Sequence, residues 1–282
     1  MNDRITTTDG LGLRVRTDNP PGAPLARIVL IHGIGDHVDG LPYTTAASAL
    51  AARGFAVHRM ELRGHGRSDG PRVYVNSFAD YRADLRQFVR QVGAGTPARS
   101  LHLVGISLGG LIVTSYALHH PDGLAGVVAV APALGEVGGS PLMRALLPLL
   151  SRLAPRLPID PKLDLSHLTR DRELQKAYVE DDPLYQTRIT PRVAAELLSA
   201  IAVTRAGAPR FRTPLLVLHG AADTVTSPQG SREFFDRAGS ADKSYKTYAG
   251  AYHNLFVETN REEVFDDIAA WVRARASSAP GR

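Results

Sequence analysis

The sequence predicts an α/β fold in which a mostly parallel sheet carries helices on both faces and a helical segment is inserted late in the chain. Three observations carry this reading. Apolar runs of strand length alternate with helix-period stretches up to residue 131 and again from residue 212, the pattern of parallel strands joined by crossover helices. Between Pro132 and Phe211 that alternation lapses into helical pieces interrupted by Pro141, Pro148, Pro155, Pro158, Pro161, Pro183 and Pro191. Finally, Leu101–Val104 runs into Gly105-Ile106-Ser107-Leu108-Gly109-Gly110 and out through Leu111–Leu118, a strand, a sharp turn and a helix. The expected division is a first core part at 1–131, an inserted helical cap at 132–211 and a second core part at 212–282.

The 282 residues suffice for a sizeable core. A formal charge of +5 is spread over scattered arginines, with no basic stripe interleaved with aromatics, which argues against nucleic acid as a partner. A weak, transient contact of the cap with an anionic membrane surface is compatible with that charge. The absence of cysteine excludes disulfides, thiolate catalysis and cysteine-based metal sites. Met1–Asn19 is polar and shows no secretory apolar stretch, and no run approaches the roughly 18 apolar residues of a membrane helix. The expected location is cytoplasmic.

In chain order, Ile5–Thr8 and Leu11–Thr17, split by Asp9-Gly10, predict an opening hairpin. Arg27–Ile31 is a buried-type strand ending at His32-Gly33-Ile34-Gly35-Asp36-His37. Its glycines invite a dinucleotide reading, but the third glycine of G-x-G-x-x-G would fall at Val38, so the fingerprint fails. A helix over Tyr43–Arg53 closes at Gly54, and Phe55–Leu62 is the next strand, followed by the turn-rich Arg63–Gly70. His65 in that loop, lying before Ser107 and between glycines, reads as structural. Phe78, Tyr81, Leu85, Phe88, Val89 and Val92 mark one helix face, and Ser100–Val104 is a strand. The helix after Ser107 ends at His119-His120-Pro121, where histidines favour the negative end of the helix dipole and do not suggest a metal.

Leu124–Ala131 is a further buried strand. In the first piece of the insertion, Leu142, Leu146, Leu149, Leu150 and Leu153 share one face, opposite Arg144 and Ser151. Alternation resumes with a strand at Pro214–Leu218, a helix near Gln229–Ala238 and a strand at Ser244–Tyr248. Thr259 with Glu262 is a capping-box signature opening a last helix through Val264, Phe265, Ile268, Trp271 and Val272, with fraying expected beyond Arg275.

Sites in such sheets gather at the carboxyl ends of strands. Ser107, Asp223 and His253 each follow an expected strand, and they occur in the order Ser, Asp, His that distinguishes α/β-hydrolases from chymotrypsin-like and subtilisin-like enzymes. In this reading His253 takes the Ser107 proton as Oγ attacks an ester carbonyl, while Asp223 holds the imidazole tautomer and stays ionised. The oxyanion needs backbone donors. The N–H of Leu108, just after the nucleophile, supplies one, and the loop after the early strand supplies another, assigned to Ile34. Their side chains are left to shape an apolar wall.

His32-Gly33-Ile34-Gly35-Asp36-His37, Arg63-Gly64-His65-Gly66-Arg67-Ser68-Asp69-Gly70, the Ser107 segment and Gly250-Ala251-Tyr252-His253 together resemble the monoacylglycerol lipase family of serine hydrolases, which includes lysophospholipase-like and general carboxylesterase members. The resemblance runs over nearly the whole chain and is weakest in the cap. It implies an α/β-hydrolase fold with a mostly parallel eight-stranded sheet, an inserted helical cap over an apolar acyl tunnel, a small-molecule lipid ester as substrate and no cofactor. It places nucleophile, acid and base on Ser107, Asp223 and His253, and the oxyanion hole on Ile34 and Leu108. Three positions depart from the family pattern: Asp36 stands where glutamate is usual, Ile106 where histidine is frequent, and Asn254 where an acid is common. None belongs to the triad, so they bear on head-group preference.

Under this reading the leucines of the first cap piece either pack inward as core or line a tunnel mouth for a fatty acyl chain. Lysophospholipase or short-chain carboxylesterase activity is the alternative ester chemistry. Ser107 excludes the aspartate-nucleophile epoxide hydrolases and dehalogenases. Glu180-Asp181-Asp182 could supply the acidic pair of an aminopeptidase, but beside Pro183 it reads as a solvated turn. A non-catalytic binder would be expected to lack a triad member, and none is missing.

Overall fold

The computed structural model describes residues 3–94, 100–135, 141–161, 164–180 and 182–276, with the side chains of 141–144 left out. The strands are β1 (Arg4–Thr6), β2 (Gly12–Asp18), β3 (Ala26–Ile31), β4 (Phe55–Met60), β5 (Leu101–Ile106), β6 (Leu124–Val130), β7 (Leu215–Gly220) and β8 (Lys243–Tyr248). They form one eight-stranded sheet in the order β1-β2-β4-β3-β5-β6-β7-β8. β1 and β2 are antiparallel to their neighbours, and every pairing from β4 to β8 is parallel.

The central strands are buried almost end to end because both sheet faces are covered; β6 is apolar throughout, while Arg27, His58, Arg59, His102 and His219 interrupt the apolar runs of β3, β4, β5 and β7. Successive side chains in β3 illustrate the division: Val29 and Ile31 enter one core, Ile28 and Leu30 the other. The first core is closed by α2 (Phe78–Gly93) and α3 (Leu108–His119), the second by α1 (Leu41–Ala52) and α8 (Arg261–Ala276). β8, at the sheet edge, is only partly covered. Register aligns the carboxyl ends: Ile31 pairs with both Met60 and Gly105, Val130 with Ile106 and Leu218, and Gly220 with Tyr248. The residues following β3, β5, β7 and β8 therefore emerge on one side.

Local chemistry explains the element ends. α1 starts two residues earlier than its apolar pattern indicates because Pro42 falls in its first turn, where a missing N–H costs nothing. Ser77 and Asp80 form a reciprocal capping box on α2. The capping box expected at Thr259 and Glu262 does not form. The Thr259 hydroxyl donates instead to the buried Glu258 carboxylate, α8 starts at Arg261, and the Asn260 amide donates to Glu263. Fraying beyond Arg275 concerns residues largely outside those described.

Between β6 and β7 lie α4 (Pro141–Leu153), a 3₁₀ turn at Leu165–His167, α5 (Arg172–Gln175) continuing into a π turn at Lys176–Glu180, and α6 (Pro191–Gly207). These are less fragmented than the prolines suggest. Pro148 lies inside α4 without ending it, while Pro191 begins the 17-residue α6 behind the Thr190 cap. α6 buries Val193, Ala200 and Ile201 in the core against α3. The leucine face of α4 is a correction. Among its described side chains, which do not include Leu142, Leu147 and Ser151 are the buried positions and Leu150 is partly buried, whereas Leu146, Leu149 and Leu153 are 43%, 54% and 76% exposed. Apolar periodicity marks a stripe on a helix, but the neighbouring surface decides which stripe is covered, and here it covers the adjoining one. α7 (Pro228–Arg237) packs behind β7 and completes the fold. No helix among the described residues is long and apolar enough to cross a membrane.

Candidate active site

Ser107 stands between β5 and α3 at φ 56° and ψ −119°, a conformation disfavoured for a residue with a side chain. Neighbouring backbones hold it there: its N–H donates to Val130 O (3.0 Å), and its carbonyl accepts from Leu111 and Ala133 (both 3.1 Å). The flanking glycines are required by space. A Cβ on Gly105 would lie 2.3 Å from Gly109 O, and one on Gly109 would lie 2.2 Å from Ile31 O. β5, the turn and α3 thus pack closer than alanine permits, and the serine is presented at a helix N-terminus.

The structure brings His253 and Asp223 together: His253 Nδ1 lies 2.8 Å from Asp223 Oδ2. An ionised carboxylate only accepts, so Nδ1 carries a proton, and in the neutral ring Nε2 is the free acceptor. Asp223 also accepts from the N–H groups of Val225 (2.8 Å) and Thr226 (3.0 Å) on Oδ1. Burial pushes its acidity toward the neutral form. His253 and the hydrogen bonds from His219 and His253 outweigh burial and hold the carboxyl well below the usual carboxylate range. Ser107 and His253 line one cavity, with Gly33, Ile34, Asp36 and Tyr43 on one side and Leu165, Leu168, Tyr178 and Tyr185 opposite. Its volume is about 30 Å³, room for a water or two and no more.

The backbone N–H groups of Ile34 and Leu108 donate to nothing among the described residues, as suits an oxyanion site. Ile34 lines the cavity, but the Leu108 side chain is buried in the core beside Leu111 and Ile112, so only one of the two shapes the wall. The loop bearing Ile34 is tied down by residues on either side. His32 Nδ1 donates to Gly33 O (2.7 Å) and Nε2 accepts from Leu62 N–H (2.9 Å), a neutral imidazole whose proton affinity burial drives well down. Gly33 N–H donates to Tyr43 Oη (2.9 Å), which donates to Asp36 Oδ2 (2.5 Å).

Sequence reasoning missed the residues that join this loop to the insertion. Tyr178 donates to Asp36 Oδ1 (2.7 Å), His37 Nε2 meets Asp182 Oδ2 (2.7 Å), and Gln186 N–H donates to Gly35 O (2.8 Å). Burial raises Asp36 to about 6 against the lowering effect of its two tyrosine hydrogen bonds. Asp182 opens the turn expected beside Pro183, accepting from Leu184 and Tyr185 N–H, but its carboxylate is engaged by His37 and not left to solvent, while Glu180 is exposed and Asp181 lies outside the described residues. His65 is buried, with Nδ1 on Arg63 O (2.9 Å), and burial lowers it to about 4. His119 Nδ1 bonds Ser115 O (2.8 Å) in the last turn of α3.

Comparison with known proteins agrees with this architecture. The Hydrolase_4 family model, described as serine aminopeptidase S33, matches residues 22–260. The chain is 32% identical over 264 residues to a monoacylglycerol lipase of Mycolicibacterium smegmatis, covering 93% of each chain. The crystal structure of the Paleococcus ferrophilus monoacylglycerol lipase superposes with a TM-score of 0.85 at 31% identity, covering 93% of this chain and 99% of that one. A soluble variant of the Saccharomyces cerevisiae monoglyceride lipase, solved with a substrate analogue, gives 0.83 at 25% identity over 95% and 94% of the two chains. With a strand-to-helix serine, a paired histidine and aspartate, and a family match over most of its length, the chain belongs to the Hydrolase_4 α/β-hydrolases and is a serine hydrolase of the monoacylglycerol lipase-like kind.

Proposed function

We propose that the protein hydrolyses carboxylic esters of single-chain lipids, with monoacylglycerol cleaved to glycerol and fatty acid. The observation that carries the mechanism is the Asp223–His253 pair at 2.8 Å, opening onto the same cavity as Ser107. The bare His253 Nε2 takes the Ser107 hydroxyl proton as Oγ attacks the ester carbonyl. The tetrahedral oxyanion is held by the N–H groups of Ile34 and Leu108, a contribution of about 3–4 kcal/mol per donor. His253 then returns its proton to the departing glycerol oxygen, leaving an acyl ester on Ser107, and repeats the cycle with water. Asp223, kept ionised, stabilises the imidazolium in both halves.

The substrate reading is supported by relatives named as monoacylglycerol lipases along nearly the full length of this chain. In this reading residues 132–211 act as a cap. A cavity of about 30 Å³ is far smaller than the few hundred Å³ of a typical ligand site, and in this reading Tyr178, Tyr185 and the Leu165–Leu168 segment move outward as substrate enters. Leu146, Leu149, Leu153 and Leu157 form an exposed apolar surface on the cap, beyond what scattered surface leucines supply. This surface is suited to transient contact with a lipid interface, with catalysis in the cytoplasm. Of the acidic run Glu180-Asp181-Asp182, Asp182 is engaged by His37, which disfavours its use in an aminopeptidase's amine-binding pair.

The test is a series of 1-acylglycerols from acetyl to long chain, run beside lysophospholipids and aminoacyl amides, with Ser107→Ala as the blank. The expected result is a rise in kcat/KM with chain length on the glycerides, as apolar contacts of roughly 0.8 kcal/mol per CH₂ accumulate. A flat profile peaking at acetyl, or faster cleavage of aminoacyl amides, would sink the lipid assignment.

A further inference from the structure

His219 is a buried imidazole to which the triad assigns no task. It occupies the penultimate position of β7 with no exposed surface, and its Nε2 lies 3.0 Å from Asp223 Oδ2, the oxygen that also faces His253 Nδ1. Because the ionised carboxylate can only accept, His219 Nε2 must carry its proton toward Asp223. With the proton there, Nδ1 of the neutral ring is the nearer acceptor for the Ser231 hydroxyl on α7, at 3.0 Å against 3.5 Å to Pro132 O. Ser231 is itself fully buried. The arrangement is a directed chain from Ser231 through His219 to Asp223, in which each ring nitrogen has one role available.

Its consequence follows from the geometry of the carboxylate. Oδ1 is tied to the Val225 and Thr226 amides, while Oδ2 receives both imidazole N–H groups, with the Thr226 hydroxyl at 2.9 Å from it and 3.0 Å from Ala131 O. Held at both oxygens from outside the His253 contact, the carboxylate cannot turn, and Nδ1 of His253 finds its acceptor in place. A second imidazole N–H on the same oxygen also draws off part of the negative charge that would otherwise act on His253 alone. The ionisable groups coupled to Asp223 are His253 and His219, and His253 is felt in turn by Asp36 across the cavity.

We propose that His219 is a positioning residue for ester hydrolysis, fixing the orientation of Asp223 and tempering its support of the His253 imidazolium through the Ser231–His219–Asp223 chain. This rests on the proposed triad. His219→Phe keeps a flat ring and deletes both hydrogen bonds, whereas His219→Gln can place an amide N–H where Nε2 stood. Ser231→Ala leaves His219 without its orienting donor.

The experiment measures kcat, KM and the pH profile of kcat/KM on a soluble ester for these three variants, beside Ser107→Ala and Asp223→Asn. His219→Phe should lower kcat on the order of ten- to a hundredfold, as for loss of a hydrogen bond to a charged group, with KM changed less than about threefold. It should also move the acid limb of the profile to higher pH, because the remaining carboxylate charge acts on His253 alone. His219→Gln should recover most of both effects, and Ser231→Ala should shift the limb in the same direction by less. An unmoved profile in His219→Phe, or a glutamine variant as impaired as the phenylalanine one, would reduce His219 to packing and overturn the proposal. If His219→Phe does not fold, Ser231→Ala decides alone, and an unmoved limb there overturns it. Failure of the triad itself reads differently, as activity surviving in Ser107→Ala or Asp223→Asn.

Discussion

Tyr178 donates its phenolic proton to Asp36 across 142 residues of sequence, at the wall of the cavity that Ser107 and His253 share. Both groups are buried, and Tyr43 holds the other carboxylate oxygen. The same carboxylate therefore ties the Ile34 loop to the segment between β6 and β7.

Removing the upper half of this bridge should loosen the lid without touching the reacting groups. Tyr178→Phe is expected to lower stability by about 1–3 kcal/mol, since a buried acceptor loses its donor. It should also raise the rate at which a bulky fluorophosphonate labels Ser107. Urea denaturation and timed labelling check the two effects; unchanged labelling would separate the bridge from access.

Asp36 should make stability fall as the solution is made less acidic. Its folded-state pKa, raised by burial to about 6 from 3.8, means that the native state holds its proton longer than the unfolded chain. The contribution is thus fully present below about pH 4 and lost as pH rises through about 6. Two pKa units at roughly 1.4 kcal/mol each come to about 3 kcal/mol. Denaturation of the wild type and Asp36→Asn at pH 4.5 and 7.5 should show the variant losing less across that interval by about 2 kcal/mol, the part of the contribution that falls within it.

The strained backbone at Ser107 predicts a division between stability and activity. Ser107→Ala keeps the φ of 56° on a residue with a Cβ, while Ser107→Gly relieves it. The glycine variant is expected to be more stable than the alanine one by about 1 kcal/mol, the scale of such strain. Both should lose hydrolysis and fluorophosphonate labelling. Equal unfolding midpoints would mean that the turn stores no strain.

The exposed α4 leucines should matter only where substrate is presented on a surface. Leu149→Asp with Leu153→Asp is expected to leave stability within about 0.5 kcal/mol, as for exposed sites, and to leave turnover of a soluble short-chain ester unchanged. Co-sedimentation with vesicles containing anionic lipid, and turnover of vesicle-borne monoacylglycerol, should both fall. Retention of both in the double variant would assign the leucines no interfacial role.

What the sequence determined by itself was whatever depends on short-range pattern. Fully apolar strands such as Leu124–Val130 announce burial on both faces, and Gly105-x-Ser107-x-Gly109 announces a turn too tight for side chains beside the serine. The succession Ser107, Asp223, His253, each just past a strand, needed no coordinates, because parallel strands bring their carboxyl ends to one side. The tertiary structure alone decided which stripe of α4 is covered, since periodicity finds an apolar face but not the surface that meets it. It alone set Tyr178 and Asp182 of the insertion on Asp36 and His37, contacts between segments with no shared period. His219 lay in view only four residues before Asp223, yet its part depends on the β7 end folding the chain back so that two imidazoles reach one carboxylate oxygen.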